Sequence, residues 1–217
     1  MLTVFGEGRG LRVIWLLEEM GIAYRLRPVD LLNGLENDTE FLAINPGGFI
    51  PALQDGDVTM VESIAIMEYI IARYGHESKS GAPLAPAPND PAFALYQQFL
   101  HLGEAGLGAN LQVVVVSGFV APESERRNWG ALWAMDQFNN RMKLVTRQLA
   151  RAPYMAGDAF TAADISVSYT LQLARHGAGI VLGDAEAAYL ARTTARDGFK
   201  RALETCQATK AWLARSP

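Results

Sequence analysis

The 217-residue sequence has few of the side chains that build disulfide frameworks or metal centres, with one Cys and three His. A single thiol, Cys206, cannot form an internal disulfide, and chains without disulfides are typical of the reducing cytoplasm, where we expect this protein. The favoured interpretation of Cys206 is a small buried hydrophobic residue. Because no His, Asp or Glu residues have metal-binding spacing, no metal cofactor is expected.

The sequence also lacks an excess of positive charge and a long uncharged apolar run. Its formal net charge is −4 and its sequence pI about 5.4, so the basic face that nucleic-acid binding usually requires is not expected. The most apolar short run, residues 113–116, is far below the roughly 18 residues of a membrane-spanning helix. Residues 1–5 have no basic leader. We therefore expect a soluble protein that binds neither nucleic acid nor membranes.

The first 75 residues alternate between strand and helix patterns. The periodicity predicts a strand at 2–5, a helix at 11–20, a strand at 24–29, a short helix at 38–43, a hairpin over 50–61 and a helix at 63–74. This βαβαββα order is typical of a thioredoxin-like domain. We accordingly assign residues 1–75 to an α/β domain.

The rest of the chain lacks strand patterns. Residues 76–90 are rich in Pro and Gly and are predicted to form a linker. Residues 91–217 are predicted to be all-helical, with long helices ending near 117–118 and spanning about 124–151. Thr161 and Asp164 have the spacing of a capping box, and Phe160 and Ile165 that of a hydrophobic staple, so a helix should begin there.

Residues 45–63 combine groups suited to a zwitterionic amino-acid head. Pro51 is at the start of a short strand, where a missing N–H is tolerated. Ser63 is predicted to be the N-cap of the helix that follows. Such a helix start favours a ligand carboxylate, while the neighbouring Glu62 can accept an ammonium group.

These residues resemble a known family. The motifs Asn45-Pro46, Ile50-Pro51-Ala52-Leu53, Glu62-Ser63 and Phe160-Thr161-Ala162-Ala163-Asp164-Ile165 resemble the cytosolic glutathione S-transferase superfamily, in a bacterial type with an atypical catalytic loop. The resemblance implies a thioredoxin-like domain followed by a helical domain that carries the pocket for a small hydrophobic electrophile. It also implies glutathione as co-substrate, whose thiolate attacks that electrophile or reduces a peroxide or mixed disulfide, as well as a homodimer and a role in detoxification.

The resemblance also implies roles for individual residues. Pro51 is expected to be cis, the backbone of Ile50 to pair with the cysteinyl part of glutathione, and Glu62 and Ser63 to bind the γ-glutamyl head. Phe49 occupies a position at which the family often has a polar residue that helps bind glutathione.

The loop of residues 6–10, Gly-Glu-Gly-Arg-Gly, lacks the Tyr, Ser or Cys with which the family stabilises the glutathione thiolate. Alignment of the following helix puts Glu7 or Gly8 at that position. One hypothesis is that Arg9, with the N–H groups of Gly8, Arg9 and Gly10, lowers the thiol pKa instead. Glu7 should then point outward, or toward substrate or a partner.

Two alternatives remain for this loop. Strand, Gly-x-Gly, helix and the acid Asp30 are similar to a dinucleotide-binding fingerprint, but Leu11 stands where the third glycine is needed. The other alternative is a protein that has kept the fold as a non-catalytic binding or regulatory module, with glycines serving only a tight turn. The presence of both Ile50-Pro51 and Glu62-Ser63 favours retained glutathione binding, and of the three interpretations we favour an enzyme.

Overall fold

A computed structural model describes residues 1–31 and 33–215. Its contacts divide the described chain into two compact units. The first combines Met1–Pro83 with Arg196–Arg215, and the second is Leu84–Ala195. The contacts group the last two helices with the α/β part, whereas the sequence analysis assigns them to the helical domain. The domain boundaries given above stay a prediction.

The first unit contains a four-stranded sheet with helices. Its elements are β1 (Leu2–Phe5), α1 (Gly10–Met20), β2 (Tyr24–Arg27), α2 (Thr39–Ile44), β3 (Ala52–Asp55), β4 (Val58–Val61), α3 (Ser63–Tyr74), α9 (Asp197–Thr205) and α10 (Gln207–Arg215). The strand order is β2-β1-β3-β4, with β2 parallel and β3 antiparallel to β1. The predicted βαβαββα order of a thioredoxin-like domain is confirmed.

Helix α1 is the central helix of this unit. It ends where Gly21 takes the left-handed conformation, at φ 67°. Residues 11–17 are all buried, because α1 contacts β1, α3 and α9. The Trp15 ring meets the Phe199 ring of α9 edge-on, with centroids 4.7 Å apart. The start of α1 is thus held in a packed core directly after the loop of residues 6–10.

The second unit is built from helices. These are α4 (Phe93–His101), α5 (Ala109–Val120), α6 (Trp129–Leu149), α7 (Ala162–Gln172) and α8 (Asp184–Thr194), with π-helical turns at Leu102–Gly108 and Leu173–Gly177. Helix α6 begins later than predicted, since a short 3-10 turn precedes it and the Asn128 side chain accepts from Ala131 N at its start. The predicted fold class, α/β followed by all-α, is confirmed.

The predicted capping box at the start of α7 is present and completely buried. One oxygen of Asp164, Oδ2, accepts from Thr161 N at 2.9 Å, and the other, Oδ1, accepts from Met155 N and from the Tyr189 hydroxyl at 2.9 Å each. Burial raises the pKa of Asp164 to about 6, and these hydrogen bonds oppose that rise. This carboxylate therefore joins three segments of the second unit.

The helical stretch Phe93–Val120 is long and apolar enough, by length and composition alone, to cross a membrane. One such helix is weak evidence for a membrane span, because a core helix of a water-soluble protein can have the same length and composition; 33% of the most apolar window of this stretch is buried. The run 113–116 is only part of this stretch, so its length alone understates how far the apolar character extends.

Candidate functional site

The sheet register brings three sequence segments to one edge of the first unit. Strand β3 lies between β1 and β4, and its first residue, Ala52, pairs with Phe5 on one side and with Val61 on the other. The chain before Ala52 therefore runs between the loop that follows β1 and the turn that follows β4. Residues 50–51, the loop of residues 6–10 and the start of α3 are neighbours for this reason.

The Ile50–Pro51 peptide bond is cis, as the resemblance implies. Ile50 packs directly against the loop: a Cβ placed on Gly6 would lie only 2.3 Å from Cγ2 of Ile50. Gly6 also has a φ of 83°, which side-chain-bearing residues rarely adopt. A glycine at this position therefore lets the loop close on the segment expected to pair with the ligand backbone.

Asn45 shapes the turn that leads into Ile50. Its side chain is buried, donates from Nδ2 to Phe49 O at 2.6 Å and accepts from Gly47 N at 3.0 Å. Phe49 itself is 42% exposed. The Asn45-Pro46 motif thus positions the backbone before the cis bond, and Phe49 presents an apolar surface there.

The start of α3 differs from the prediction. Ser63 is the first residue of the helix and Glu62 is its N-cap, so the assignment of Ser63 as N-cap is wrong. Glu62 has φ 72° and ψ 107°, and among the described residues it is the only non-glycine residue with a positive φ. The Ser63 hydroxyl accepts from Arg12 Nη1 at 3.4 Å.

Arg12 is a site residue that the sequence analysis missed. It lies in the first turns of α1, is completely buried, and brings a guanidinium group to the start of α3. A charged residue is rarely buried unless it is paired. The signal was present in the sequence, because Arg12 interrupts the apolar run of α1 next to Leu11 and Val13.

The loop of residues 6–10 is held by hydrogen bonds. Gly10 N donates to Glu7 O at 2.8 Å, and Gly8 N donates to Thr209 Oγ1 at 3.4 Å. Two of the three N–H groups that the sequence hypothesis assigns to the thiol therefore already have acceptors in the protein. The Glu7 side chain accepts from Thr209 N at 2.8 Å, so it is directed to α10. The role of Arg9 as activator stays a prediction.

Cys206 lies between α9 and α10, in the same unit as this loop. Its side chain is buried, and burial, followed by the charges of Glu7 and Glu18, raises the pKa of its thiol to about 12. The thiolate is the nucleophilic form of cysteine, and it is scarce at neutral pH when the pKa is so high. Cys206 is therefore a packing residue, as the sequence favours, and does not replace the missing catalytic side chain.

Comparison with known proteins agrees with this geometry. A family model described as "Glutathione S-transferase, N-terminal domain" matches residues 1–72. The chain is 35% identical over 156 residues to glutathione S-transferase 3 of Zea mays, covering 71% of this chain and 68% of that relative. The chain belongs to the cytosolic glutathione S-transferase superfamily. A second relative, glutathione S-transferase PM239X14 of Arabidopsis thaliana, is 30% identical over 164 residues, or 71% of each protein.

Solved glutathione transferases have the same fold. The crystal structure of glutathione transferase URE2P8 from Phanerochaete chrysosporium with oxidized glutathione has a TM-score of 0.82 at 22% identity, covering 97% of this chain and 96% of that one. The superfamily and fold expected from the motifs are confirmed, and the expectation of a glutathione transferase is confirmed at the level of the family. Within residues 1–31 and 33–215, no group of three or more His, Cys, Asp or Glu side chains is arranged to hold a metal ion.

Proposed function

We propose that this glutathione transferase binds glutathione along the edge formed by Ile50, Glu62 and Ser63. The observation that carries the proposal is the meeting of the cis Ile50–Pro51 segment, the start of α3 and the Gly-rich loop at one end of β3. The backbone of Ile50 offers a short extended segment to the cysteinyl part of the ligand.

The γ-glutamyl head is assigned to the start of α3. Its carboxylate is attracted by the N–H groups of the first turn, the Ser63 hydroxyl and the buried positive charge of Arg12. Its ammonium group pairs with the exposed carboxylate of Glu62. In this assignment Arg12 has two tasks, since it orients Ser63 and contributes charge that favours an anionic group.

The thiol of the bound tripeptide lies near the loop of residues 6–10, next to Ile50. Arg9 stabilises the thiolate electrostatically and takes the place of the hydroxyl or thiol that this loop lacks. The sulfur then donates its electron pair to an electrophilic carbon, and a leaving group departs with the electron pair of the broken bond. In an addition to an activated double bond, a proton from solvent completes the product instead.

Two measurements on the intact chain test this function. Calorimetry with glutathione is expected to give binding, and turnover is expected with at least one class among aryl halides, activated alkenes, organic hydroperoxides and mixed disulfides. Binding without turnover across all four classes would favour the non-catalytic alternative. Failure to bind would contradict the assignment of the site itself.

We also propose a homodimer in the cytoplasm, which family membership and the single cysteine support. Light scattering is expected to return about twice the chain mass of 23.6 kDa. A mass near that of one chain at working concentration would contradict the dimer and leave the site assignment intact.

A further inference from the structure

One residue of the C-terminal helix holds two successive residues of the Gly-rich loop. Thr209 N donates to Glu7 Oε2 at 2.8 Å, and Thr209 Oγ1 accepts from Gly8 N at 3.4 Å. The partners are 202 and 201 residues apart in the sequence. Thr209 is only 9% exposed, so both bonds are largely shielded from water. The two bonds run in opposite directions, because Glu7 of the loop accepts one and Gly8 of the loop donates the other.

The C-terminal segment is itself anchored along α1. Arg196, immediately before α9, donates from Nε and Nη2 to the carboxylate of Glu19 at 2.8 Å each. Arg201 donates from Nε to Glu18 Oε2 at 2.8 Å and from Nη2 to Glu18 O at 2.7 Å. Glu18 and Glu19 are near the end of α1, while the loop joins its start. Both ends of α1 are thus connected to the C-terminal segment.

The bond from Thr209 also determines where the negative charge of Glu7 lies. Thr209 is in the first turn of α10, where N–H groups lack intrahelical acceptors and the helix dipole favours an anion. A carboxylate bound there is partly compensated by the helix. If it were released toward the loop, it would disfavour a neighbouring thiolate, because like charges raise the pKa of an acid.

We propose that Glu7 and Thr209 form a clamp through which the C-terminal helix positions the Gly-rich loop and holds the Glu7 carboxylate away from the reacting sulfur. This inference rests on the proposed function, since it takes the thiol of glutathione to lie beside the loop. Both are positioning residues: they act through the loop backbone and through charge placement. The clamp links the last helix of the chain to a reaction assigned to its first ten residues.

The substitution Thr209→Val tests the clamp, because it keeps the shape and the backbone N–H but removes the acceptor of Gly8 N. With the loop held at one point instead of two, the Glu7 carboxylate is expected to approach the sulfur, so the pKa of the bound glutathione thiol should rise by up to about one unit and kcat near neutral pH should fall by up to about tenfold. KM for glutathione should change by less than about twofold, since the binding edge at residues 50 and 62–63 is untouched. Thr209→Ser keeps the hydroxyl and should restore the wild-type thiol pKa.

The matched control is Thr205→Val, at the end of α9. Its hydroxyl accepts a hydrogen bond of the same length, 3.4 Å, but from Tyr24 instead of the loop. This variant is expected to keep the wild-type thiol pKa and kcat. A Thr209→Val protein with wild-type thiol pKa and kcat would overturn the proposed role, and so would a Thr205→Val protein with the same loss.

Amide hydrogen exchange tests the clamp without any ligand. In the wild-type protein the amides of Gly8 and Thr209 are expected to be protected, and Glu7→Ala should speed exchange at both sites. Unchanged exchange in Glu7→Ala would overturn the clamp even if Thr209→Val did not fold. If the wild type neither bound nor turned over glutathione while this exchange pattern held, the proposed function would fail and the clamp would stand as a structural link.

Discussion

The starts of α7 and α3 differ in how their free backbone N–H groups are satisfied. At the start of α7, the Thr161–Asp164 capping box satisfies backbone donors with a buried carboxylate, and that carboxylate also accepts from Tyr189. At the start of α3, the side chain of the N-cap residue, Glu62, makes no capping hydrogen bond, and its φ is positive. One start is closed by the protein, and the other is open in this sense, at the place where we propose that the ligand binds.

This difference distinguishes a carboxylate with a structural role from a carboxylate to which we assign a binding role. Asp164 and Glu62 are both carboxylates at a helix start, but the first is completely buried and the second is exposed. Backbone conformations that are sparsely populated for side-chain-bearing residues cost free energy and are concentrated at functional sites. The strain at Glu62, absent from the well-capped start of α7, is therefore consistent with a binding role for α3.

The largest effect, on the free energy of unfolding, is expected at the closed start of α7. Asp164→Asn replaces an acceptor oxygen with an NH₂ group in a fully buried network, which leaves at least one donor unsatisfied. The free energy of unfolding, measured by urea denaturation, should fall by about 3 kcal/mol. Glutathione affinity of the folded fraction should remain unchanged, because this network lies in the second unit.

The control for this comparison is Asp158→Asn, a substitution at an exposed position shortly before the same helix. It should alter the free energy of unfolding by less than about 0.5 kcal/mol. A cost below about 1 kcal/mol for Asp164→Asn would mean that the capping box contributes little more than an exposed cap and that the contrast between the two starts is weak.

The next largest effect is expected at the open start. Glu62→Gln keeps the shape and removes the charge that pairs with the ligand ammonium. Glutathione affinity should fall roughly thirtyfold, or about 2 kcal/mol, while the free energy of unfolding stays near the wild-type value. Calorimetry and urea denaturation of the same preparation check both parts. Unchanged affinity would refute the γ-glutamyl assignment.

The sequence predicted those features that depend on local patterns. The bounds of β1 and α3 follow from apolar periodicity and turn residues, and they agree with the structure. Ser63 was misassigned as an N-cap because the choice between Glu62 and Ser63 depends on a backbone φ that residue preference does not determine. Local preference favours Ser as the N-cap, whereas in the structure Ser63 is the first helical residue and its hydroxyl accepts from Arg12.

The loop of residues 6–10 was predictable only in part. Its lack of Tyr, Ser and Cys is evident from the sequence, as is the candidate role of Arg9. Its contact with Thr209 is not, because it depends on how α9 packs against α1, through pairs such as Arg196 with Glu19, and on where α10 then lies. Such contacts connect residues that are far apart in the chain, and single-sequence periodicity contains no information about them.

A smaller effect, on the pKa of the bound thiol, is expected for Arg9→Ala, which tests the proposed activation of glutathione. The pKa of the bound glutathione thiol should rise by about one unit, or 1.4 kcal/mol, while affinity changes less. The loss in rate should shrink as the pH rises, since the thiol then ionises without help. Absorbance of the bound thiolate, titrated in wild type and variant, measures this. Identical titration curves would mean that Arg9 has no part in activating the thiol.

The smallest effect is expected to be a gain in the free energy of unfolding instead of a loss. Glu62→Gly relieves a conformation that costs about 1–3 kcal/mol, and it adds flexibility to the unfolded chain, which offsets about 0.4–1 kcal/mol of that gain. The free energy of unfolding should therefore rise by about 1 kcal/mol, while glutathione affinity falls as in Glu62→Gln.

Glu62→Ala is the matched control, because it removes the same carboxylate but keeps a Cβ and with it the strain. Thermal and urea unfolding of the three proteins should rank Glu62→Gly as more stable than Glu62→Ala and the wild type. If glycine gave no gain over alanine, Glu62 would carry no strain, and the open start of α3 would differ from the closed start of α7 only in its cap.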